Sequence, residues 1–221
     1  MNLEEVLQIP PYSLKREEKE KLLTARLLEL TEHHRRSCPE YAHLLKALSY
    51  REEKIHTYAD LPFLPVRLFK EVSLKSVPQE DIVKTMTSSG TSGQGVSKIY
   101  LDRETASAQQ KALVKIVSNF TGSGRMPMII LDCPSVIKNR AMFSARGAGI
   151  LGFSIFGAKK IYAFDDDMAL NVKEISAFLE KFQGQKILLF GFTYMIWQYF
   201  YKKLVDLGKS ETPIDLSNGI L

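Results

Sequence analysis

The sequence predicts an α/β fold. An N-terminal helical segment with a proline-rich connector fills residues 1–80, and a layered α/β sheet fills 81–221. Three observations carry the α/β class. Leu23, Leu27 and Leu30 recur at helical spacing among charged residues. From about Asp81 the pattern changes to short apolar runs alternating with helical stretches, the rhythm of strands and crossover helices. Finally, 221 residues at 45% hydrophobic and 25% charged are enough to bury a sizeable core.

Taken in order, LKREEKEKLLTARLLELTEHHRR predicts a helix with Ser13 placed to cap its start. CPEYAHLLKAL predicts a short second helix with Pro39 in its first turn. In TYADLPFLPVRLFKEVSL, Pro62 and Pro65 forbid a regular helix, and the apolar residues imply an ordered connector docked onto the rest of the chain. DIVKTMTS and SKIYLD read as strands, RETASAQQKALVKIVSNF as an amphipathic helix and PMIILD as a buried strand. NRAMFSARGAGILGFSIFG reads as helical, KKIYAF and KILLFGF as strands, and DMALNVKEISAFLEKF and TYMIWQYFYKKLVDLG as helices. The closing ETPIDLSNGIL ends on an apolar pair, which suggests the front part of a longer protein truncated at its C-terminal end.

Several function classes are disfavoured. Cys38 and Cys133 are too few and too far apart for a disulfide framework or a zinc site, and a reducing cytoplasmic setting follows as the default. The acidic N-terminus is unlike a signal peptide, and no apolar run is long enough for a membrane span. The net charge of +5 is spread along the chain rather than gathered into a nucleic-acid footprint.

The stretch that carries chemistry is TSSGTSGQGVSK, Thr87 to Lys98, between two expected strands. Glycines let a backbone approach a ligand closely, hydroxyls and amides donate to phosphate oxygens, and a lysine adds a compact positive charge. A Walker loop is disfavoured because Val96 and Ser97 separate Gly95 from Lys98 and a strand follows where that motif opens a helix. A dinucleotide fingerprint fails for the same reason, and Gly90-Thr91-Ser92-Gly93 is one residue short of a nucleophile elbow. On composition alone, a phosphate cradle and an idle glycine-serine hairpin both remain open.

The run SSGTSGQGVSK resembles the Ser/Thr/Gly-rich phosphate loop of the adenylate-forming enzymes, the superfamily of acyl- and aryl-CoA ligases. Together with ADLPFLPVRLFKE and SARGAGILGF it is most similar to the LuxE-type acyl-protein synthetase family. CPEYAHLLKAL followed by ADLPFLP also resembles the entry segment of phenylacetate-CoA ligases, so the resemblance runs from about Leu22 to the last residue. This sequence departs from the superfamily pattern at one point: four residues separate Gly93 from Lys98, and Ser97 stands where proline is usual.

The resemblance implies ATP, with Mg2+, as the activating reagent, a fatty or other carboxylic acid as substrate, and an acyl-adenylate as product. It implies that Ser88, Ser89, Thr91 and Ser92 donate to phosphate, that Gly90, Gly93 and Gly95 let the loop close and reopen, and that Lys98 contacts phosphate. In such proteins the acyl group passes to a cysteine in the C-terminal region and then to a partner acyl reductase. Neither Cys38 nor Cys133 matches that cysteine. No match to the superfamily's adenine motif, ribose aspartate or late lysine is found either, so a chain of only these residues is not expected to complete catalysis. A phenylacetate-type ligase and a noncatalytic interaction protein of the same fold are the alternatives.

Other polar clusters read more plainly. Asp167 is placed to cap a helix with Asp165 and Asp166 solvated; adjacent His33 and His34 cannot share a helix face; and His43 and His56 stand apart from them. Arg140 and Arg146 are candidate anion contacts, although the small residues around Arg146 suit close helix packing. Trp197 and Tyr199 are expected in the core rather than in an acyl pocket.

Overall fold

The computed structural model describes residues 3–87, 95–138, 145–210 and 214–221. The chain divides into two compact units, Met1–Gly122 and Ser123–Leu221. The hairpin and helix that follow Asp81 in sequence fall in the first of them.

The first unit is mostly helical: α1 (Leu3–Gln8), α2 (Arg16–Ser37), α3 (Pro39–Ala47), the short α4 (Leu68–Glu71) and α5 (Arg103–Thr121), with strands β1 (Lys84–Thr87) and β2 (Lys98–Leu101). α2 starts two residues after the expected Leu14, and Ser13 does not cap it. The Ser13 hydroxyl donates instead to the Pro10 carbonyl at 2.8 Å, while the Glu18 carboxylate accepts the Lys15 backbone N–H at 3.0 Å. Glutamate at the third helical position reaches back more readily than a serine outside the first turn reaches forward. The α2–α3 junction turns on Cys38, 1% exposed, with Pro39 opening α3 as expected, and Leu45 seals the pair at 2%. In the connector, the Tyr58 backbone N–H donates to Thr24 of α2 at 2.9 Å, which ties it down. Phe63 and Val66, however, are 82% and 74% exposed and do not dock as expected. The flanking prolines fix the local backbone without turning every apolar side chain inward.

His34, half-buried on α2, hydrogen-bonds through Nδ1 to the Ser76 hydroxyl at 2.7 Å. Burial, reinforced by neighbouring His33, holds its imidazole below the ordinary value of 6.5. The unfolded chain therefore binds the proton first, and stability falls as the pH drops below about 6.5, levelling off once the folded imidazole is also charged. In urea unfolding between about pH 7.5 and about pH 5.5, His34→Gln is expected to lose less stability than the parent; an identical loss excludes His34 as the source.

The second unit holds strands β3 (Met126–Ile130), β4 (Gly157–Tyr162), β5 (Ile187–Phe190) and β6 (Gly219–Ile220). They form a parallel sheet in the order β4-β3-β5-β6, with Ile130 opposite both Tyr162 and Phe190. β3 is buried along nearly its whole length, which is why its sequence is continuously apolar rather than alternating. α6 (Ala145–Phe153) lies on one face, where Phe153 stacks on Phe190 at 4.2 Å. α7 (Val172–Lys181) and the final helix supply Ile175, Phe178, Met195 and Phe200 to the core of the other face, against Ile129, Leu131, Ile187 and Leu189. The result is the layered α/β arrangement expected.

The final helix is not uniform: α8 (Thr193–Met195), a π-helical turn over Ile196–Tyr201 and α9 (Lys202–Ser210) follow one another. Just before it, Gly191 closes β5 so tightly that a Cβ there would lie 2.7 Å from Leu131 Cβ and 3.2 Å from the Leu131 carbonyl. Gly191→Ala is thus expected to cost about 1–3 kcal/mol in chemical unfolding, and an unchanged midpoint contradicts that reading.

Candidate functional site

β1 and β2 pair antiparallel, from Lys84↔Leu101 to Thr87↔Lys98, so the glycine- and serine-rich segment joins the two ends of a hairpin. Ser88, Ser89, Gly90, Thr91, Ser92 and Gly93 lie outside the described residues. Lys98 is the first residue of β2, exposed, and cross-strand from Thr87. Ser97, which stands in place of proline, is buried beside it at 8% exposure, and Leu101 on the opposite face is 3% exposed. β2 runs straight into α5, whose start is capped by Asp102 accepting the Thr105 backbone N–H at 2.7 Å; donation from the Thr105 side chain first and its backbone second holds the Asp102 carboxyl below its ordinary range. A strand therefore follows the glycines, and the helix begins only at Arg103, which is incompatible with a Walker loop.

A second polar arrangement sits at the carboxyl ends of the parallel strands. Asp132, two residues past β3, is completely buried. Its carboxylate takes a two-pronged contact from Arg146 on α6, Nε to Oδ2 at 2.8 Å and Nη2 to Oδ1 at 2.9 Å. The Cys133 backbone N–H donates to Oδ1 at 2.8 Å. At the end of β4, burial first and the Asp132 charge second push the Tyr162 phenol above its ordinary value of 10. Asp132 was not foreseen from the sequence. Its signal was a lone carboxylate closing an otherwise apolar strand, a position that needs a partner when buried.

The description acyl-protein synthetase, LuxE, belongs to the family model that matches residues 2–213. The chain belongs to the LuxE family. A long-chain-fatty-acid–luciferin-component ligase of Photorhabdus luminescens is 32% identical over 77 residues, which cover 35% of this chain and 66% of that relative's length.

The remaining expectations for this LuxE-family chain divide. Asp167 caps no helix: α7 begins after Asn171, and the Asp165 carboxylate accepts the backbone N–H groups of Asp167 and Ala169 at 3.0 and 2.8 Å in a local turn. Asp166 is not merely solvated, since it accepts from the Ser135 backbone at 2.9 Å and pairs with Lys138 at 2.7 Å. Arg146 binds a carboxylate of the protein itself, while Arg140 lies outside the described residues. Trp197 is 55% exposed and stacks on Tyr201 at 5.0 Å rather than entering the core; Tyr199 does pack against it, edge-on to Phe164. Cys38 and Cys133 are both buried. Among the described residues no three His, Cys, Asp or Glu side chains gather as a metal site, and no helix is long and apolar enough to cross a membrane.

Proposed function

We propose that this protein activates a fatty or other carboxylic acid with ATP and passes the acyl group to a cysteine thiol outside these residues. In that reaction a carboxylate oxygen bonds to the α-phosphorus as the bond to pyrophosphate breaks; the thiolate sulfur would then bond to the acyl carbon as the bond to AMP breaks. The observation that carries the reading is the hairpin: in a LuxE-family chain, paired strands ending at Thr87 and Lys98 bracket a segment rich in phosphate donors.

Within it, the hydroxyls of Ser88, Ser89, Thr91 and Ser92 and the neighbouring amides would donate to the β- and γ-phosphate oxygens, where negative charge accumulates during displacement. Gly90 and Gly93 would permit the close backbone approach this needs. Lys98, exposed on β2, would add a positive charge at the foot of the segment. Magnesium would be carried chiefly by the phosphates, as that ion needs few protein ligands when a polyphosphate is present. Cys38 at 1% and Cys133 at 5% exposure are too buried to suit the acceptor role, which supports an acceptor other than these two thiols.

The test is acid-dependent release of pyrophosphate from ATP by the intact protein, with hydroxylamine added to trap the activated acyl group as its hydroxamate. Release that rises with added fatty acid and yields hydroxamate supports the reading. Release indifferent to the acid, or none, overturns it.

A further inference from the structure

We propose that the Asp132–Arg146 pair is an oxyanion-binding site, with Arg146 donating from the part of its guanidinium that Asp132 does not engage. The site deepens the function proposed above, which supplies two oxyanions of matching chemistry: the carboxylate of the acid and the phosphoryl oxygens of the nucleotide.

Topology gives the first reason. β3 leads through α6 to β4 on one side of the sheet, while β5 leads through the final helix to β6 on the other. The connections diverge between β3 and β5, and in open parallel sheets ligands bind outside the carboxyl ends of the strands where that happens. Asp132 follows β3 at this point, and Arg146 meets it from the first turn of α6.

Geometry gives the second. The Asp132 side chain is 1% exposed and the Arg146 side chain 37%. Nε and Nη2 are committed to Asp132; Nη1 makes no bond to it. With the Cys133 N–H also donating, the carboxylate is held by three hydrogen bonds and fixes the guanidinium in one orientation. A pair buried only for stability is replaceable by apolar side chains at little cost, because desolvating the charges offsets their attraction. A partly exposed, pre-oriented cationic fork at the switch point is the return that an apolar pair would not give.

The experiment is calorimetric titration of the intact protein and of Arg146→Lys, which keeps a charge for Asp132, with three probes: decanoate, decanol and inorganic pyrophosphate. Thermal melts confirm that the variant is folded. The expected result is about tenfold or greater weakening of one oxyanion with decanol unchanged; loss confined to decanoate assigns the acid carboxylate, and loss confined to pyrophosphate assigns the nucleotide. Three results overturn the site: no binding of either oxyanion by the unmodified protein, equal binding by the variant, or an equal loss of decanol and decanoate. If the variant does not fold, the Nε–H resonance of Arg146 in the unmodified protein decides, since a shift on adding either oxyanion supports the site and an unmoved resonance overturns it. Arg146-dependent binding without acid-dependent pyrophosphate release leaves this site standing and removes the enzymatic reading alone.

Discussion

Replacing Ser89 and Thr91 together by alanine is expected to slow acid-dependent pyrophosphate release by about 10²–10³-fold, the usual cost of removing donors aimed at developing phosphate charge. Both positions lie in sequence between Thr87 and Lys98, which pair with each other, so neither belongs to the described β1–β2 register. A thermal melt of the variant checks that it is folded, so that the rate reads the loss of donors. Lys98→Ala should slow the reaction less, because Lys98 lies on the paired strand with Ser97 between it and Val96. A double variant with the parent's rate would show that the segment is only a connection.

The largest effect on stability is expected from Arg146→Met. It leaves the Asp132 carboxylate completely buried with one remaining donor, the Cys133 N–H. Removing one partner of a buried ion pair costs about 3–5 kcal/mol, mostly because the surviving charge is stranded out of water. Arg146 is partly exposed, so Asp132→Asn should cost less, since the stranded guanidinium can turn toward solvent. The double variant Asp132→Asn, Arg146→Met removes both charges and is expected to recover about half of the loss or more in urea unfolding. Equal destabilisation by the double variant and by Arg146→Met would mean that the stranded charge is not the cause.

The architecture was legible where one physical pattern dominated. Continuous apolar runs such as PMIILD and KILLFGF became β3 and β5, and Ile175 and Phe178 fell on the buried face of α7. The strand-segment-strand character of residues 84–101 was legible too, because IYL after Lys98 favours a strand over the helix a Walker loop requires. Caps were read less well. Ser13 and Asp167 carry suitable side chains, but Glu18 and a local turn around Asp165 meet the backbone demands instead, and local composition does not distinguish such competitors. Trp197 was misplaced because the π-helical turn over Ile196–Tyr201 rotates the apolar pattern away from a 3.6-residue period. The Asp132–Arg146 pair was invisible for another reason: its members stand 14 positions apart in sequence, and only the β3–α6 connection brings them together.

The phosphate role of the hairpin segment is tested most directly by titrating ATP into the intact protein and into the Ser89→Ala, Thr91→Ala variant by calorimetry. The result expected is ATP binding by the parent and affinity about tenfold weaker or worse in the variant, the loss that follows when two phosphate donors are removed. Equal affinity for ATP in the two proteins would contradict it.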